Sequence, residues 1–107
     1  MKLTDTVIKA LTDAGAKRWT KGAYDRIYVT AENVGLTCVR YNTGNVFSAT
    51  LNGEKISNTT ASQLLAPTCY IDVNTGAVKL NYASVRECNM LKELVDEFLN
   101  KISEEEN

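Results

Sequence analysis

The stretch Cys69-Tyr70-Ile71-Asp72-Val73-Asn74-Thr75-Gly76-Ala77-Val78-Lys79-Leu80-Asn81-Tyr82 decides the fold class. Cys69, Ile71 and Val73 alternate with Tyr70 and Asp72, and Val78, Leu80 and Tyr82 alternate with Ala77, Lys79 and Asn81. That period of two, broken by Asn-Thr-Gly, predicts an antiparallel hairpin with one apolar face. Immediately after it the period changes. Ser84 and Glu87 form a capping box, and Val85, Cys88, Leu91, Val95, Phe98, Leu99 and Ile102 make a helical stripe that Met90 and Leu94 widen. A hairpin followed by a long amphipathic helix predicts a sheet with a helix laid across it.

The same signals recur upstream. Leu3, Val7, Leu11 and Ala14 repeat at helical spacing, Thr4 or Thr6 can cap the start, and Gly15 suits the position after a helix end, so residues 4–14 read as a helix. Lys17-Arg18-Trp19-Thr20 reads as an edge strand, Gly22-Ala23 as a turn, and Arg26–Val29 as a strand with Ile27 and Val29 on one face and Tyr28 on the other. Leu36–Tyr41 and Val46–Leu51 flank Asn42-Thr43-Gly44-Asn45 as a second hairpin, and Asn52-Gly53 turns into a short strand at Lys55–Ser57. Ser57 or Asn58 caps a helix that Pro67 stops. The expected fold is α+β: a single antiparallel sheet built from hairpins, with helices packed on one face. No linker divides residues 1–107, which read as one domain with a frayed acidic tail over 103–107.

Composition narrows the chemistry. The chain has no histidine, which removes Ser-His-Asp and Cys-His catalysis and the commonest zinc ligand. Three cysteines, Cys38, Cys69 and Cys88, are widely spaced with no CxxC pair, so buried free thiols are expected rather than disulfides or a metal site. No phosphate-binding glycine motif occurs, and Asp13, Asp25, Glu32, Glu54 and Asp72 form no spaced pair. The expectation is a protein that is not an enzyme, with no cofactor and no metal. No apolar run is long enough for a membrane span and Met1–Asp5 has no signal-peptide character, so a cytoplasmic location is expected.

The net charge of −1 is uneven: residues 1–60 carry eight Lys/Arg against five Asp/Glu, and residues 61–107 carry four against eight. The basic part holds the one local concentration of cations and rings, Lys17, Arg18, Trp19, Lys21, Tyr24 and Arg26, with Tyr28 close behind. Trp, Tyr and Arg are the side chains that dominate protein interfaces. The same residues stack on bases and neutralise phosphates. An ordinary edge strand made soluble by its lysines, with Trp19 anchored in the core, is the structural alternative. A second candidate patch is acidic: Glu93, Asp96, Glu97, Glu104, Glu105 and Glu106. Tyr28, Tyr41, Tyr70 and Tyr82 fall on different strands, and their sharing a face depends on register.

The run Ala14–Val29, the Glu32-Asn33-Val34-Gly35-Leu36 turn, Tyr41-Asn42-Thr43-Gly44-Asn45-Val46, Leu51–Asn58 and Tyr70–Gly76 together resemble small uncharacterised proteins of bacterial phages and mobile elements. The resemblance implies an accessory protein of the anti-defence kind, anti-CRISPR inhibitors among them, that occludes a host protein complex. It implies no catalytic residue. A protein partner is thus the first expectation, nucleic acid bound through residues 17–28 the alternative, and self-association through an exposed edge remains open.

Overall fold

The computed structural model describes residues 2–81 and 84–106; the predicted strand positions of Tyr82, like the side chain of Glu106, lie outside the described residues. Helix α1 (Asp5–Asp13) starts where the Thr4 hydroxyl accepts the Val7 N–H. After it come β1 (Lys17–Lys21), β2 (Tyr24–Val29), a single 3-10 turn, β3 (Leu36–Arg40), β4 (Val46–Leu51) and β5 (Glu54–Ile56). Helix α2 (Asn58–Leu65), β6 (Thr68–Asp72), β7 (Val78–Asn81) and α3 (Val85–Glu106) complete the chain. The element order is the one read from the sequence, and the class is α+β.

The single expected sheet is two. One has four strands in the order β1-β2-β6-β7, the other three in the order β3-β4-β5, all antiparallel. The physical reason is that β2 has only two edges. Hairpin partner β1 fills one and β6 fills the other, so β3 has no place beside β2 and the β3-β4-β5 meander closes on itself. The turn that diverts the chain is held by Asn33, whose side-chain oxygen accepts the Thr30 N–H at 2.9 Å while its amide donates to the Ala14 carbonyl at 3.1 Å.

One apolar core joins both sheets and the helices. Ile27, Val29, Cys69 and Ile71 from the four-stranded sheet, and Leu36 and Ala49 from the other, meet Val7 and Leu11 of α1, Leu64 of α2, and Leu91, Leu94 and Val95 of α3. Two details of the last helix differ from expectation. Val85 is exposed rather than part of the buried stripe, because it occupies the first helical position, beyond the cover of the core. The tail over 103–106 continues the helix instead of fraying: Ile102 is buried in the last turns, and glutamate is a good helix former. The capping box forms, with the Ser84 N–H donating to Glu87 Oε2 at 3.2 Å and the Glu87 N–H to Ser84 Oγ at 3.4 Å.

The Asn74-Thr75-Gly76 turn shows why that sequence makes a hairpin. Asp72 Oδ1 accepts both the Asn74 and Thr75 N–H groups, and Gly76 takes a φ of +75° that a side chain resists. Among the described residues, no helix is long and apolar enough to cross a membrane.

Candidate binding face

The pleat of the four-stranded sheet sorts its side chains into a core face and an outer face. Register places them in rows. Lys17 lies opposite Tyr28, Tyr28 opposite Tyr70, and Tyr70 opposite Lys79, so one row crosses all four strands with two rings in the middle and an ammonium group at each edge. The next row is Trp19, Arg26 and Asp72, and beyond it stand Lys21 and Tyr24. Every one of these shares the outer face, because residues opposite one another, or two apart along a strand, point the same way.

Arg26 organises the face. Its guanidinium carbon lies 4.4 Å from the Tyr70 ring centre, 4.9 Å from Tyr24 and 5.8 Å from Trp19. Trp19 and Tyr24 stack at 6.5 Å, and Tyr28 and Tyr70 meet at 5.6 Å with their planes tilted by 48°. A hydrogen bond with Tyr28, reinforced by the Tyr70 and Tyr24 phenols, raises the Arg26 pKa further above its ordinary value. Three of the four rings are nonetheless open to solvent, Trp19 at 40% exposed, Tyr28 at 38% and Tyr24 at 59%, while Tyr70 beside Arg26 is half-buried. Trp19 is therefore not the core anchor of an ordinary edge strand.

Electrostatics on this face are one-sided. Among the described residues Lys17, Lys21, Arg26 and Lys79 share the strands' outer face with one carboxylate, Asp72, and one oxygen of it is engaged by the backbone of its own turn. Of the six basic and aromatic residues singled out in the sequence, five come together here and Arg18 does not. The pleat sends Arg18 to the core side of β1, where its Nε and Nη2 donate to the two Asp25 oxygens at 2.9 and 2.6 Å. Those bonds hold the Asp25 carboxyl below the usual carboxylate range and the Arg18 guanidinium above its own.

Tyr70 and Lys79 lie outside the cluster read from the sequence over residues 17–28, and they complete the row. The signal for them was present: Tyr70 and Lys79 alternate with Ile71, Val78 and Leu80, which fixes them to the opposite face from the core. What the sequence lacked was the pairing of β2 with β6. Tyr41 belongs elsewhere, edge-on to Phe47 at 5.2 Å on the second sheet.

The acidic candidates do not converge. Glu93 and Glu97 line the side of α3 that faces α2 and β4, Glu105 lies beside Thr4 and Thr6 at the start of α1, and Asp96 is half-buried. Glu104 is exposed near the helix end. The cysteines stand as thiols rather than disulfides: Cys69 is buried, with its S–H directed at the Val29 carbonyl, while Cys38 and Cys88 are half-buried. Among the described residues no group of three His, Cys, Asp or Glu could hold a metal ion.

Compared with family models, curated proteins and solved structures, the chain matches none of them.

Proposed function

We propose that the protein is a non-enzymatic binding module that takes a single-stranded nucleic acid across the outer face of the four-stranded sheet. The observation that carries this reading is the Lys17–Tyr28–Tyr70–Lys79 row, with rings in the middle and cations at both edges. Bases stack on exposed rings at about 1–3 kcal/mol each, and the backbone phosphates then fall within reach of the flanking lysines. Trp19, Tyr24 and Arg26 extend the platform along β1 and β2. An overall charge of −1 does not oppose this, because the acids of α3 stand behind the sheet and exposed charges are screened over about 8 Å at physiological salt.

Sequence alone favours a protein partner, and the Arg26-centred cluster supports that as the second reading. Trp, Tyr and Arg packed together form a pre-ordered patch of the composition found at interface hot spots. On the resemblance to mobile-element proteins, the partner would be a host complex and the action occlusion. Lysines, however, are depleted at the centre of protein interfaces, and three of them frame this face.

The test is fluorescence anisotropy of labelled eight-nucleotide DNA and RNA strands, single and double, titrated with the protein at several salt concentrations. The account expects preference for single strands and a log–log salt slope of about −2 to −3, from three lysines and Arg26. Lys17→Glu with Lys21→Glu should abolish binding. Absence of any binding to wild type, with nuclease-resistant capture of a protein complex that Trp19→Ala and Arg26→Ala abolish, would establish the second reading instead.

A further inference from the structure

The outer face does not end at the Lys17–Tyr28–Tyr70–Lys79 row. Beyond it, where β2 runs into the Thr30 turn and β6 begins, the sheet drops into a cleft of about 440 Å³. Lys17 and Tyr28 form its rim on the platform side, Val29 and Cys69, whose side chains turn into the core, line its floor, and Thr68 and Asn81, directly opposite each other on β6 and β7, stand at the far side. A mainly apolar cavity of this size with a few convergent polar groups has the properties of a small-ligand site.

The polar groups divide into spent and unspent. The Asn33 side chain uses both ends on the Ala14 carbonyl and on Thr30, and the Thr30 hydroxyl donates back to Asn33, so these two are wall. Among the described residues the side chains of Lys17, Thr68 and Asn81 make no hydrogen bond or ion pair. Together they offer an ammonium group, a hydroxyl, and a carboxamide that presents a donor and an acceptor side by side. A flat ligand with an adjacent donor and acceptor on its edge, and a negative charge one bond-chain away, matches all three. That is a nucleobase carrying its phosphate: the base edge on Asn81 and Thr68, the base plane against Tyr28, the phosphate on Lys17.

Resting on the nucleic-acid reading above, the geometry points to this cleft as the place where one base of the bound strand is read by hydrogen bonds, while the platform beside it binds bases by stacking alone. The consequence is a base preference in a protein whose remaining contacts are indifferent to sequence.

Anisotropy titrations with (dA)8, (dC)8, (dT)8 and an abasic strand of the same length test it, each against wild type, Thr68→Val with Asn81→Ala, and Lys17→Ala. Thr68 is exposed and Asn81 lies on an edge strand, so the double variant should fold, which its unfolding midpoint checks. The expected result is a ranking among the three base-bearing strands in wild type, its best member weakened about tenfold in the double variant. The abasic strand should be unaffected by that change, and Lys17→Ala should weaken all strands alike. Binding with no ranking, or a ranking that survives the double variant, overturns the base pocket and leaves the platform standing. Failure of every strand to bind overturns both. If adenosine, cytidine or thymidine monophosphate alone displaces the strand from wild type but not from the double variant, the cleft takes free nucleotides as well as strand-borne ones, and the pocket stands.

Discussion

Arg18 and Arg26 lie in the same hairpin and meet opposite fates, which a single step of the pleat determines. Arg26 faces outward among three rings; Arg18 faces the core side and is held by both oxygens of Asp25. The Asp25 pKa is lowered chiefly by its hydrogen bonds with Arg18, so the folded state binds that proton less tightly than the unfolded state. The pair's contribution is present above the unfolded carboxylate value, about pH 4, and is lost as pH falls through the lower folded value. Urea midpoints measured from pH 6 to 2 should therefore fall less steeply below pH 4 in Asp25→Asn than in wild type. Cys69 works in the opposite direction. Burial pushes its thiol up to about 11, so its contribution is complete below the ordinary thiol value and is lost as pH rises toward 11. Cys69→Ala should remove that component of the alkaline loss of stability, read as the difference between the two proteins' midpoints from pH 8 to 11. In native protein at pH 8, a thiol reagent should modify Cys38 and Cys88 well before Cys69.

At the scale of elements, local chemistry was legible and distant pairing was not. Thr4 of the Thr4/Thr6 alternatives, Ser57 of the Ser57/Asn58 pair, and the Ser84–Glu87 box start the three expected helices, and the glycine turns close the expected hairpins. Each is a contact between residues two to four apart, and sequence spacing encodes such contacts directly. The Asn52-Gly53 turn, with both residues at positive φ, also fixes Gly35: a Cβ there would collide with the Asn52 side-chain oxygen, at a φ of +118°. Gly35→Ala should cost about 1–3 kcal/mol in denaturant unfolding, the usual size of such backbone strain. Ser57→Ala should cost about 1 kcal/mol, since the Ser57 hydroxyl accepts the Thr60 N–H at 3.1 Å. The division into two sheets was hidden because it rests on β2 choosing β6 over β3, a pairing no local period specifies. A bulge was hidden for the same reason. Val39 pairs with Ser48 but Arg40 with Val46, which leaves Phe47 as the extra residue, pushed outward against Tyr41.

Taken whole, the molecule keeps its core and its ring-bearing face in separate layers. Helices and inner sheet faces build one core, and the outer face of the four-stranded sheet is left with rings and cations that the core does not use. Five of the six basic and aromatic residues singled out in the sequence reached that face because β1 and β2 form one hairpin. Tyr70 and Lys79 joined them only through the long-range pairing, so the row that carries the functional reading could not be drawn from sequence. Loss of the cations should act on binding with little effect on folding: Lys17→Glu, Lys21→Glu and Lys79→Glu are exposed changes, each expected to move the unfolding free energy by no more than about 0.5 kcal/mol.

Trp19 is the only tryptophan in the chain and stands on the proposed platform, so its emission reports on that face without a label. Titrating the protein with unlabelled eight-nucleotide single strands, at low and at physiological salt, asks whether that face takes a strand. Binding there gives saturable quenching of Trp19, weakened by salt and abolished by Lys17→Glu with Lys21→Glu. Emission unchanged through a strand excess at low salt would contradict it, and the outer face would then have to be explained by a partner of another kind.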